Sequence, residues 1–171
     1  MSLLDDDDNK LDVYQILAKT LYFGMFVNVL LPMALLMLCY YIDQNYFVQD
    51  KTGDMADSLF IIFGLLALIQ AGLALWRRGR NLHVPMVRRL ETIQHDLMVG
   101  VLKASRPIFI MIAAISIYGY LYFYLTGRFK ETVFLVLFSF LVFQVVRPRH
   151  AAIKKVVRHQ KAIAEKGELL R

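Results

Sequence analysis

Residues 20–42 read TLYFGMFVNVLLPMALLMLCYYI, and no side chain across these 23 positions carries a charge. A hydrocarbon core roughly 30 Å thick is crossed by about 20 helical residues, so this stretch is long enough to span a bilayer as a helix. Three further uncharged windows follow: residues 58–76, 107–127 and 132–146, of 19, 21 and 15 residues. The last is short, and it crosses if its helix begins at Phe129 and the side chains of Arg128, Lys130 and Glu131 reach back toward the headgroups. The whole chain is 58% hydrophobic and only 20% charged over 171 residues, which is too apolar for an ordinary soluble domain. The sequence therefore predicts an all-α integral membrane protein with four transmembrane helices at 20–42, 58–76, 107–127 and 129–146.

The basic residues orient these helices. Lys and Arg cluster after the second window (Arg77, Arg78, Arg80, Arg88, Arg89, Lys103, Arg106) and after the fourth. With both termini inside, 17 of the 20 cationic residues face the cytoplasm, a strong positive-inside bias. The acidic residues sharpen it, giving the inner side a net +8 and the outer side −2. Aromatic residues agree: CYYIDQNYF at 39–47 and YGYLYFY at 118–124 belong at the outer interface, and Trp76 at the inner one. The acidic start MSLLDDDDNK is unlike a signal peptide, so the first helix is expected to remain as an anchor. These features point to a bacterial cytoplasmic (inner) membrane, with an acidic segment at 1–19, a transmembrane domain at 20–146 containing a basic cytoplasmic loop at 77–106, and a basic C-terminal helix at 147–171.

Two stretches on the basic side carry a helical apolar period. In the second loop Met86, Leu90, Ile93, Leu97 and Val101 recur at steps of three and four after Pro85, with Arg88 and Arg89 on the polar face. In the C-terminal stretch Ile153, Val156, Val157 and Ile163 do the same, with Lys154, Lys155 and Arg158 opposite. Beside a membrane, such basic amphipathic helices suit anionic lipid headgroups or a neighbouring subunit. The candidate contacts are Arg77, Arg78, Arg80, Arg88, Arg89, Arg147, Arg149, Lys154, Lys155 and Arg158. The triplets RGR at 78–80 and RPR at 147–149 also invite superposition, each shortly after a glutamine, Gln70 or Gln144. That echo reads either as a duplicated hairpin in parallel orientation or as convergent basic composition.

The same residues exclude several activities. The positive charge is confined to segments adjoining apolar windows, with no zinc spacing, aromatic RNA-binding strand or long basic arm, so no nucleic-acid partner is expected. No glycine-rich loop precedes a Lys-Ser or Lys-Thr pair. The windows hold no carboxylate for a proton or sodium path, no histidine for haem, and a single cysteine, Cys39, where quinone-linked disulfide chemistry needs a pair. No cofactor, metal or catalytic residue is expected, and the chain is not read as an enzyme.

The polar residues that lie in the windows are Asn28, Gln70, Ser116, Ser139 and Gln144. Amides in hydrocarbon seek partners, so Asn28, Gln70, Ser116 and Gln144 are candidates for helix packing or, alternatively, for lining a pathway. Pro32 is expected to perturb the first helix by removing a backbone donor. The layout of four helices, a basic middle loop and a basic tail resembles that of small bacterial inner-membrane proteins, among them the accessory subunit I of ATP synthase, in hydropathy alone. The resulting expectation is a non-enzymatic accessory, scaffold or assembly subunit of a larger membrane complex or homo-oligomer; the alternative is a small oligomeric transporter or channel.

Overall fold

A computed structural model describes residues 13–45, 53, 55–81 and 93–165. Every element among these residues is helical, and four of the helices are long and apolar enough to cross a membrane. In chain order they are α1 (Val13–Met25), a π-helical turn (Phe26–Leu30) running directly into α2 (Leu31–Asn45), α3 (Met55–Asn81), α4 (Ile93–Thr126), α5 (Phe129–Val146) and α6 (His150–Glu165). α1, the π turn and α2 form one rod, so the four spanning units are this rod, α3, α4 and α5.

The π turn lies immediately before Pro32. Proline lacks the N–H that would bond the carbonyl of Asn28 in an α-helix, and its ring crowds that carbonyl. The chain responds by widening the turn, and the Leu31 N–H reaches back five residues to the Phe26 carbonyl. Pro32 thus leaves a widened turn inside a rod that continues on both sides.

α4 is the hub. It packs on the rod, on α3 and on α5, whereas α3 packs only on α4 and α5 among its principal contacts. The two helices of the first hairpin therefore make their principal contacts with the second hairpin rather than with each other. Gly127 ends α4 with a left-handed φ of 75° and its N–H bonded to the Phe123 carbonyl, a glycine-dependent stop. Two residues later α5 begins, so α4 and α5 form a tight helical hairpin. Their close approach is marked by Gly119, where an added Cβ would meet the Thr132 carbonyl at 3.3 Å.

Helices extend past the uncharged windows at the basic end. α1 starts before Thr20, α3 continues through Trp76 to Asn81, and α4 starts well before Pro107. Residues 77–81 and 93–106 are thus helical, the latter including the expected amphipathic turn through Ile93, Leu97 and Val101, which runs on into the third span without a break; residues 82–92, including Pro85, Arg88 and Arg89, lie outside the described residues. Pro107 sits inside α4 at the cost of one donor, but the carbonyl it leaves belongs to Lys103, which is exposed where water can serve it.

The described part of the apolar stripes expected on lipid or on a neighbour packs within the chain. Leu97 and Val101 of α4, Ile153, Val156 and Val157 of α6, and Ile16 of α1 form one buried cluster. The main core is a second cluster around Ala67, Ala71, Phe109, Ile112, Ile115, Tyr122 and Phe143. The molecule is therefore a four-helix unit extended at its basic end by a three-helix layer of α1, α4 and α6. The two arginine triplets are not equivalent in this structure. RGR is helical, whereas RPR is a break, with Arg147 at ψ 141° because Pro148 disfavours the helical conformation in the residue before it.

Candidate functional site

The polar residues of the apolar windows fall into three groups. Gln70 is held at both ends of its amide: Nε2 donates to the Met111 carbonyl at 2.8 Å, and Oε1 accepts from the Tyr118 hydroxyl at 2.6 Å. Ser139 ties α5 to α4 by donating to the Ile112 carbonyl at 3.1 Å. These bonds are helix-to-helix fastenings, each worth about 0.6 to 2 kcal/mol in a membrane. Tyr118 and Tyr122 lie one turn apart and both face α3, with Tyr122 packed on Phe60 and Phe63, while Tyr124 points outward. The tyrosines thus divide between faces of α4 rather than forming one aromatic box.

Asn28 and Ser116 form the second group. Both are 1% exposed. Asn28 Nδ2 donates to the Gly24 carbonyl at 3.1 Å, but its Oδ1 has no partner, and neither has the Ser116 hydroxyl. Ser116 has a local reason. A helical serine ordinarily bonds the carbonyl four residues back, here Ile112, and that carbonyl already accepts Ser139. Gln144, the third group, is partly buried near the basic end of α5. The structure therefore ties Gln70 into the packing and does not join it to Asn28 or Gln144 by any hydrogen bond among the described residues.

Within the rod, Gly24 lies close against α4 and α5. An added Cβ there would lie 3.0 Å from the Phe109 and Phe143 rings, which meet edge to face at 5.7 Å. No larger residue fits without moving both rings.

The cationic candidates gather at the junction between the spanning unit and the three-helix layer. Arg78 is partly buried and donates through Nη1 to the Val145 carbonyl at 2.7 Å, one of the carbonyls left open at the end of α5. Arg149 is exposed and near enough for its charge to bear on Arg78. Arg80 lies over the Trp76 ring at 5.6 Å, and Arg106 over the Phe23 ring at 5.4 Å, both cation–π contacts. Arg77 and Arg147 point outward, as do Lys154, Lys155 and Arg158 on the polar face of α6. At the opposite end, Arg128 pairs with Asp57 at 2.6 Å, which joins the start of α5 to the start of α3.

Sequence reasoning does not find the Tyr118–Gln70 bond, because a tyrosine near a helix end has an interfacial role by default. It also misses the Arg78–Val145 bond, for which the sequence carries no signal. Between Arg78 and α6 a narrow apolar cleft opens, walled by Val101, Ala104, Ile108, Val146 and Ile153, with Ser105 beside them. Among the described residues no group of three His, Cys, Asp or Glu side chains is placed to hold a metal ion. The chain matches no protein-family model, no curated protein and no solved structure.

Proposed function

We propose that the chain is a non-enzymatic membrane subunit, an accessory, scaffold or assembly component that packs against a larger membrane complex or its own copies. The observation that carries this reading is the lopsided burial of the four spans. The rod and α3 each bury only 17% of their spanning window within the chain, against 50% for α4 and 39% for α5. Two flanking helices therefore offer most of their surface outward, while α4 and α5 form the internal core. Two of the polar groups in the spans, Gln70 and Ser139, fasten helix to helix, which suits a structural part. The bias of basic residues supports a bacterial cytoplasmic membrane with both termini inside, and the outward cations support contact with anionic headgroups. Mild-detergent purification of the full chain tests the proposal: a co-purifying membrane protein or a defined oligomer is expected, and a lone monomer overturns it.

A small oligomeric transporter or channel is the second reading, favoured by the unpartnered Oδ1 of Asn28 in the π turn and the unpartnered hydroxyl of Ser116 on α4. Flux in liposomes that disappears in Asn28→Leu, with the fold retained, would support it; the absence of flux for ions and small polar solutes would remove it.

A further inference from the structure

We infer that the chain's own acidic segment, Asp5 to Asp8, docks on the basic face of α6 and covers its cations. That face is positive and open. Lys154 and Lys155 of α6 are exposed, as are Arg147 and Arg149 just before its start, and none of the four has an ion pair among the described residues. Within α6 the carboxylate is Glu165, the last residue, ten positions beyond Lys155 and so about 15 Å away along the axis. The apolar side of the helix is spent in the three-helix layer. What remains outward is a set of like charges that an anion would stabilise.

The described chain begins at this same face. The Tyr14 ring sits against the His150 ring at 4.9 Å, and Ile16 is buried with Ile153 and Val157. Lys154 follows His150 by one helical turn, about 5 to 6 Å between Cβ atoms. The twelve residues before Val13 lie outside the described residues and carry five Asp against one Lys, a side-chain charge of −4. Asp5 is eight residues before Val13, which allows a reach of at most about 28 Å. α6, with 16 residues, is about 24 Å long, so the acidic run reaches its basic face from where the chain emerges. Tethering makes the encounter intramolecular, at an effective concentration in about the millimolar range. Because Tyr14 and His150 touch, both charges lie at one end of the bundle whichever way it is inserted. Of the outward cations, this leaves Arg77 at the end of α3 for anionic headgroups.

The test is carbodiimide cross-linking of the full chain in phosphatidylcholine nanodiscs, read by mass spectrometry; the reagent joins a carboxylate to a neighbouring amine as an amide, with loss of water. Links from Asp5 to Asp8 onto Lys154 or Lys155 are expected to exceed those onto Lys19 about threefold, the scale of an exposed ion pair. Lys19 is exposed and lies five residues after Tyr14, about 7 Å along α1, so it is equally near the tether but off the α6 face. The links should fade as ionic strength rises from about 0.05 to about 0.5 M, which shortens the screening length to roughly 4 Å. Mixing isotope-labelled with unlabelled chains separates links within a chain from links between chains. Changing Asp5, Asp6, Asp7 and Asp8 together to Asn alters no described element; it should leave unfolding unchanged and speed acetylation of Lys154 and Lys155 about threefold, with no effect on Lys130 at the opposite end. Lys19 linked as often as the α6 lysines, links formed mainly between chains, indifference to salt, or equal acetylation in parent and variant would each overturn the contact. Links that form in phosphatidylcholine but vanish in phosphatidylglycerol would overturn it too, by giving the face to anionic headgroups. No partner protein enters the measurement, so any of these failures leaves the subunit reading standing.

Discussion

The Tyr118 hydroxyl donates to Gln70 Oε1 at 2.6 Å, and the other end of the same amide donates to the Met111 carbonyl, so one side chain of α3 is clamped by two groups of α4 seven residues apart. Gln70→Leu removes both bonds and is expected to cost about 1 to 2 kcal/mol in a detergent unfolding equilibrium, with Tyr118→Phe costing roughly half as much. Because the two share a bond, the double variant should fall short of the sum. Strict additivity would show that the clamp is not formed in the folded protein.

Glycines in the spans separate by what surrounds them. Gly24 faces the Phe109 and Phe143 rings at contact distance, so Gly24→Val should force the rod away from α4 and α5 and destabilise by ~1 to 3 kcal/mol. Gly64 and Gly72 have nothing near their Cβ positions, so Gly64→Ala and Gly72→Ala should be neutral or stabilising by ~0.5 to 1 kcal/mol in the isolated chain. Thermal or denaturant unfolding in detergent checks both. Gly72→Leu adds a second readout: a partner seated on α3 would be lost while the isolated chain keeps its stability.

The Asp57–Arg128 pair joins two helix starts, but Asp57 is 80% exposed. Asp57→Asn is therefore expected to cost no more than about 1 kcal/mol, less at high salt. A larger effect that persists in high salt would mean that this end of the bundle is shielded from water by a partner.

Orientation is open to direct measurement. In a Cys39→Ser background, Lys10→Cys should react with a membrane-impermeant thiol reagent only after the membrane is breached from the cytoplasmic side, and Lys51→Cys should react in intact cells. The reverse pattern would invert the topology and detach the basic end from the inner leaflet.

The four spans were legible because their cause is local: three are uncharged runs of bilayer length, and the fourth, only 15 residues without charge, is lengthened to an 18-residue helix that begins at Phe129 and carries Lys130 and Glu131 in its first turn. What was not legible depends on packing. The periodicity of Leu97, Val101, Ile153 and Val157 announces an apolar face but cannot say what covers it, and the answer is the other members of the same set together with Ile16. RGR and RPR look alike in composition, yet the single proline makes one a break while the other remains helical. Gln70 and Gln144 also look alike, but only Gln70 sits opposite a tyrosine hydroxyl and a reachable carbonyl. Asn28 was visible as a polar residue in an apolar run, whereas the π turn that carries it depends on how Pro32 is absorbed.

The layer built on Ile16, Leu97 and Ile153 has a consequence for biogenesis. Ile16 lies at the start of the first spanning helix, Leu97 at the start of the third, and Ile153 beyond the fourth, so this layer can close only after all four spanning helices have been made. A chain stalled before α6 would leave Ile16, Leu97 and Val101 bare to water beside the bilayer. The docking of α6 is thus the last step by which this layer becomes buried.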